Sequence, residues 1–239
     1  MLDERFLRTS LLLGEKAVQH LSQSSVMIVG LGAVGGYALE AIARSGIGKI
    51  ILVDFDKFDK TNINRQILAL ENTVGRFKTD VAAERIRQIN PNCKIEIVNE
   101  FVDSNNISDL LNRAPDYIID AIDSLEAKCC LIEEIWRRGI PFVSSMGAAL
   151  KTDPTQIREG SLNQTQNCSL AKLIRQKLRK HSVDLGQIPC VWSNEKASPQ
   201  NDVTCAQGER KPLGSLPTIT AIFGLMLANR VILSLSKHI

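Results

Sequence analysis

Five short apolar runs with little polar alternation mark the first 150 residues: SVMIVG (25–30), KIILVD (49–54), KIEIV (94–98), YIIDAI (117–122) and PFVSSM (141–146). Runs of that length without alternation predict strands covered on both faces. The stretches between them, 33–46, 76–89, roughly 105–112 and 124–138, repeat apolar positions at helical spacing. Strands alternating with helices predict right-handed crossovers and a mainly parallel α/β sheet. A further helix, roughly Asp3 to Leu21, is expected before the first strand. Beyond residue 150 the pattern weakens: Ile157 sits in a run short enough for one more strand, 161–183 contains a helical stretch, and 184–215 is rich in Pro, Asn, Gln and Gly. That last stretch predicts a long loop or crossing segment. The chain closes with LPTITAIFGLMLANRVILSL (216–235), in which Asn229 and Arg230 interrupt the apolar run before about 20 residues are reached. A buried closing helix is expected there, not a membrane span.

Composition narrows the class without naming a function. The 239 residues are 44% hydrophobic and 23% charged, which argues against global disorder and against a polytopic membrane protein. Lys and Arg number 29 against 26 Asp and Glu, a net charge of +3, too small to require a nucleic acid by itself. The six cysteines (93, 129, 130, 168, 190 and 205) form no C-x-x-C pair, so no zinc knuckle or dithiol motif is spelled out. The amino-terminal MLDERFLRTSLLLGEKAV is charged from its third residue, and a cytoplasmic location with reduced thiols is expected. His20, His181 and His238 carry no ligand-like spacing.

The chemistry begins directly after the first strand, with Gly30-Leu-Gly32-Ala-Val-Gly35. In this G-x-G-x-x-G, Gly30 serves the tight turn, Gly32 lets a phosphate approach the backbone, and Gly35 lets helix and strand pack closely. The helix amino terminus that follows offers unpaired N–H groups to an anion. Asp54 ends the second strand, nineteen residues past Gly35, where an acid accepts ribose hydroxyls. These positions predict a nucleotide and a Rossmann-like, doubly wound arrangement. The next segment discriminates between nucleotides. Asp54-Phe-Asp56 leads into Asn62-Ile-Asn64-Arg65-Gln66, and Gly75-Arg-Phe-Lys78 follows. A dinucleotide enzyme leaves the pyrophosphate to backbone N–H groups. A site that expels pyrophosphate from ATP needs cations such as Arg65 and Lys78, because negative charge grows on the leaving phosphates.

With these residues in place, the chain resembles the adenylating enzymes related to ubiquitin-activating enzyme, which include the adenylyltransferases of molybdopterin and thiamine synthesis. The resemblance covers roughly residues 3–150 and implies a role for each matching position. Asp54 would hold the ribose; Asn62, Arg65, Gln66 and Lys78 would bind the triphosphate; Asp123, in Asp120-Ala-Ile-Asp123-Ser, would hold Mg²⁺ beside the reacting centre. It also implies a homodimer in which an arginine of the amino-terminal helix reaches the partner's ATP; Arg8 fits that spacing best and Arg5 second. For Asp123, an N-cap role on the following helix is the bland alternative.

The C-terminal half extends the resemblance to one branch. Met146-Gly-Ala-Ala, Asp153-Pro-Thr-Gln-Ile157, Leu170-Ala-Lys-Leu-Ile-Arg-Gln-Lys-Leu-Arg179 and Cys190-Val-Trp-Ser-Asn-Glu195 are similar to the tRNA threonylcarbamoyladenosine dehydratases. The activity implied is ATP-dependent cyclisation of threonylcarbamoyladenosine beside the anticodon. The whole chain is then one adenylating domain, 1–150 the nucleotide-binding core and 151–239 an extension facing tRNA. No acid occurs from Ser161 to Val183, and Lys172, Arg175, Lys177, Arg179 and Lys180 are the expected phosphate-backbone contacts. Two departures stand out. Some members of this branch have a Cys where this chain has Lys211-Pro-Leu-Gly214-Ser215, which excludes a thioester step at that position and leaves Cys190 and Cys205 as the thiols to consider. Gln166-Asn-Cys-Ser169 replaces the usual Asp-Pro before Leu-Ala-Lys, so the start of the basic helix is open. Two rivals remain: an adenylyltransferase for a ubiquitin-like sulfur carrier, disfavoured by the missing C-x-x-C pairs, and an NAD-binding oxidoreductase, disfavoured by Arg65 and Lys78. A sulfur-relay protein enters as a candidate partner, and membrane association is not expected.

Overall fold

The computed structural model describes residues 3–200 and 212–237; Cys205, Lys211 and His238 lie outside the described residues. Seven strands form one sheet: β1 (Ser25–Val29), β2 (Lys49–Val53), β3 (Lys94–Val98), β4 (Tyr117–Asp120), β5 (Phe142–Ser145), β6 (Ile157–Ser161) and β7 (Pro189–Ser193). Their order is β3-β2-β1-β4-β5-β7-β6, parallel except for the antiparallel pairing of β6 with β7. The helices are α1 (Leu7–Leu13), α2 (Glu15–Gln23), α3 (Gly35–Arg44), α4 (Lys78–Ile89), α5 (Ile107–Leu111), α6 (Leu125–Arg138), α7 (Ser169–Lys180) and α8 (Pro217–Ser236).

The unbroken apolar runs have the expected cause. Along β1, Val26 and Ile28 enter one core with residues of α3, α4 and α8, whereas Met27 and Val29 enter a second core with residues of α5, α6 and α7. Ile50 and Leu52 part from Ile51 and Val53 in the same way. Each central strand therefore needs apolar side chains on both faces.

Three expectations are corrected. The helix expected over Asp3–Leu21 is two helices, because Gly14 takes φ +93° between α1 and α2. The segment 184–215 is not all loop: β7 inserts into the sheet between β5 and β6, and Cys190 and Val191 pair with Ser144 and Ser145. The signal was present in Cys-Val-Trp, but the surrounding polar residues masked a strand only five residues long. The expected strand 117–122 ends at Asp120, which frees Ala121 and Ile122 to shape the site.

The closing helix α8 is long and apolar enough to cross a membrane by length and composition, yet 44% of that window is buried in this fold. Gly224 explains its position. A Cβ there would lie 2.4 Å from the Val34 carbonyl oxygen and 2.9 Å from the Ala38 nitrogen, so only glycine lets α8 approach the amino end of α3 this closely.

Candidate active site

Strand register brings the predicted nucleotide residues together. Val29 pairs with Val53 on one side and with Asp120 on the other, so the residues after them, Gly30, Asp54 and Ala121, leave the sheet side by side. The chain runs outward from β1 through β2 and β3, then returns to build β4 and β5 on the opposite flank. Ligands of open α/β sheets bind in the crevice at such a switch point. Gly30 has φ +91°, and a Cβ on it would lie 2.7 Å from the Ala121 carbonyl oxygen. A Cβ on Gly35 would lie 1.8 Å from the Gly30 oxygen. Both glycines are therefore required by contact, and Gly32, with nothing closer than 3.9 Å, keeps the mouth of the turn open.

Asp54 is buried and knots this turn to the next loop. One carboxylate oxygen accepts the Leu31 N–H at 2.6 Å and the other accepts the Asp56 N–H at 2.9 Å. Burial pushes its pKa up, opposed by the Lys78 charge and these two N–H donors. Lys78, the first residue of α4 and 6% exposed, contacts Asp56 twice: its backbone N–H donates to the Asp56 carbonyl at 3.0 Å and its ammonium lies 2.8 Å from the carboxylate. A buried lysine at a helix amino terminus is held against both the dipole and desolvation by this pairing.

Between these two points runs a short 3₁₀ turn, Lys60–Asn62, capped by Asp59. Asn62 accepts the Asp59 N–H at 3.1 Å, so its side-chain oxygen is occupied. Arg65 donates to the Thr61 carbonyl and to the Asn64 side chain, each at 2.8 Å, and Asn64 donates in turn to the Ser215 carbonyl at 3.3 Å. Gln66 is buried beside Gly32, and its Oε1 has no hydrogen-bond partner. A buried polar atom without a partner next to an open glycine turn is what a site for a polar ligand leaves behind.

Asp123 follows β4 and is exposed, with no hydrogen bond or ion pair among the described residues. The N-cap of α6 is Ser124, so the capping alternative for Asp123 is overturned. Behind it lies a group that sequence reasoning passed over. Asp120 and Lys128 are fully buried and paired at 2.8 Å. Ser144 donates to the same Asp120 oxygen at 2.7 Å. The signal was an acid ending an apolar strand and a lysine among Ala127, Cys129 and Leu131 on the inward face of α6. Neither belongs inside without a partner.

No cluster of three or more metal-ligating side chains occurs among the described residues. One free carboxylate at the crevice still fits Mg²⁺, which is commonly held by one or two carboxylates together with phosphates. Two cavities, about 290 Å³ beside His20, Ser24 and Asp116 and about 490 Å³ beside Phe6, Gly48 and Asn92, lie at the opposite edge of the sheet, where strands begin.

The remaining predicted residues are more dispersed. Arg5 is held by Asp3 through its Nε at 3.0 Å, whereas Arg8 is exposed on α1 beside Leu11 and Leu12. The basic helix begins at Ser169 with Cys168 as its cap, the sulfur accepting the Ala171 N–H at 3.4 Å. Two of its five cations are already engaged, which corrects the expectation of five free contacts: Arg175 donates to the Thr165 carbonyl at 2.9 Å, and Lys177 pairs with Glu126 of α6. Lys172, Arg179 and Lys180 are exposed. Cys190 is fully buried on β7, and burial pushes its thiol up to about 12, which removes it as a nucleophile. His181 lies 3.0 Å from Glu133.

Fold, glycine turn and flanking cations together define an adenylating α/β protein, and the chain belongs to the ThiF family, which it matches over residues 5–239. It is 36% identical to a tRNA threonylcarbamoyladenosine dehydratase of Bacillus subtilis, covering 98% of this chain and 96% of the relative. The Escherichia coli dehydratase is 39% identical over 96% of this chain and 92% of its own. The crystal structure of the E. coli enzyme in complex with ATP superposes with a TM-score of 0.88 at 38% identity, covering 97% of this chain and 93% of that one.

Proposed function

We propose that this chain is a tRNA threonylcarbamoyladenosine dehydratase. In this reading it activates the threonyl carboxylate with ATP and closes the side chain into a ring, removing one water from the nucleoside. The observation that carries the reading is the register-aligned trio of Gly30, Asp54 and Ala121, with Lys78 seated on Asp56 behind it. It is a nucleotide cradle with a cation built in for the phosphates. Likeness to the B. subtilis and E. coli dehydratases over nearly the full length of all three chains supports the choice of substrate.

A carboxylate is a poor electrophile because oxide would have to leave. Its attack on the α-phosphate of ATP gives an acyl-adenylate and pyrophosphate. The Gly30–Gly35 turn and the α3 amino terminus bind phosphate, and Asp54 accepts from the ribose. Lys78 and Arg65 oppose the charge that grows on the pyrophosphate, each giving up an internal partner to do so. Asn62 and Gln66 supply the remaining amide donors. Asp123 would hold Mg²⁺ against the phosphates, and the metal when bound supplies charge neutralisation there. The carbamoyl nitrogen then attacks the acyl carbon, loses its proton and expels AMP. Intramolecular closure carries a high effective concentration and needs no enzymic thiol.

In the same reading the working form is a homodimer, with Arg8 reaching the partner's nucleotide. Arg5 is the weaker candidate because Asp3 already holds it. Lys172, Arg179 and Lys180 meet the tRNA backbone, while Arg175 and Lys177 brace the helix. The chain acts as one adenylating unit in the cytoplasm, and a sulfur-relay protein is a further partner to test. The reading is tested by exchange of labelled pyrophosphate into ATP. Exchange that requires tRNA bearing threonylcarbamoyladenosine supports it; exchange that requires a glycine-ended carrier protein instead would establish the carrier adenylyltransferase.

A further inference from the structure

Asp120 and Lys128 are the only oppositely charged pair among the described residues with both side chains fully buried. Such a pair gives up the hydration of two ions, and an apolar pair of similar size generally serves stability as well or better. Its bonds indicate another use. The Lys128 ammonium donates to the Ile122 carbonyl at 2.9 Å, and the free Asp120 oxygen accepts the Ile122 N–H at 3.1 Å. One ion pair thus holds both backbone polar groups of Ile122, the residue immediately before Asp123. The Lys128 N–H also donates to the Ser124 carbonyl at 3.0 Å, so the loop is gripped on both sides of Asp123. At its other end, Ala121 donates to the Val29 carbonyl at 2.8 Å and its carbonyl packs on Gly30.

We propose that Lys128, seated on Asp120, is a positioning residue that sets the Asp123 carboxylate against the glycine turn, and so sets the affinity of the nucleotide-loaded site for Mg²⁺. This rests on the reading above that Asp123 holds the metal. Asp123 itself has nothing else among the described residues to fix its direction. The pair that fixes it is shielded from solvent.

The test separates positioning from bulk stability. Lys128→Met alone strands a buried carboxylate and can fail to fold, so the informative variant is Asp120→Asn/Lys128→Met, which removes both charges together. ATP is titrated calorimetrically into the folded protein without metal, and Mg²⁺ is then titrated into the ATP complex. Asp123→Asn serves as reference. The expected result is metal-free ATP affinity within about two-fold of the wild type, with the Mg²⁺ requirement raised about ten-fold, as in Asp123→Asn. Lys128→Arg, which keeps the charge and a donor, recovers part of the loss. A double variant with altered melting temperature but wild-type Mg²⁺ affinity would overturn the positioning role. An Asp123→Asn protein with unchanged Mg²⁺ affinity would remove the metal-site reading itself, and the proposal with it.

Discussion

Cys190 illustrates how environment overrides residue type. It is a free thiol three residues from the end of the strand beside β5, but it has no exposed surface, and burial pushes its pKa up to about 12. At pH 8 it carries essentially no thiolate, the form that attacks carbon or disulfide. Iodoacetamide should leave Cys190 unlabelled in the native protein and label it after denaturation, as peptide mass spectrometry would read. Cys190→Ala should keep dehydratase activity within about two-fold while lowering stability by roughly 1 kcal/mol, the cost of a small core truncation. Lys78 is the opposite case. Its side chain is also buried, yet it is stationed on a carboxylate that is half exposed and at the edge of the crevice. A cation so placed can be handed from Asp56 to an incoming phosphate without being freshly desolvated.

At the scale of elements, the cradle depends on helices far from it in sequence. α8 presses on the amino end of α3 through the space left by Gly224. Gly224→Ala should cost about 1–3 kcal/mol through overpacking, read by chemical denaturation, and should weaken ATP binding if the α3 amino terminus faces the phosphates as proposed. On the outer side, Glu40 of α3 receives Arg85 of α4 at 2.7 and 2.9 Å and Arg44 at 2.6 Å. Burial pushes the Glu40 carboxyl up, but the two guanidinium groups outweigh it and hold the pKa below its usual value. A depressed acid adds stability above its unfolded pKa and loses it as pH falls through the folded one. Glu40→Gln should therefore destabilise by about 1 kcal/mol at pH 7, and the difference should close as pH falls through the depressed Glu40 pKa, where the wild type is protonated as well.

The core of this architecture was legible in the sequence because double burial leaves a strong trace. Runs such as KIILVD have no polar face to offer. β7 was not legible, since five residues between polar segments carry too little pattern, and neither was the break at Gly14, where a single left-handed residue interrupts an otherwise continuous helical signal. In the site, the tight turn at Gly30 and Gly35 and the placement of Asp54 and Lys78 beside it could be read because they depend on local spacing. The pairing of Asp120 with Lys128 and the link from Asn64 to Ser215 depend on tertiary placement, 151 residues apart in the second case. No local pattern encodes them.

For the whole molecule, charge distribution matters more than net charge. A balance of +3 says little about partners. The exposed Lys172, Arg179 and Lys180 on one helix, with Arg175 and Lys177 turned to internal work, suggest where a phosphate backbone would lie. If these three cations each meet one phosphate, replacing all three by Ala should reduce the slope of log affinity for tRNA against log salt by about 2–3. Lys177→Ala should instead loosen α7 from α6 and lower the melting temperature with little change in that slope. Filter binding across a salt series distinguishes the two.

In this reading the cradle spends ATP to remove one water from a modified adenosine in tRNA. Nucleoside mass spectrometry tests it most directly: tRNA carrying threonylcarbamoyladenosine is incubated with the purified protein and Mg-ATP, beside a Lys78→Ala control. The wild type should yield a nucleoside lighter by one water, and the variant should convert it about 100-fold or more slower, comparable to losing a group that stabilises transition-state charge. An unchanged nucleoside from a wild-type protein that still binds ATP would contradict it, and would turn the same cradle toward a carrier protein's carboxyl terminus.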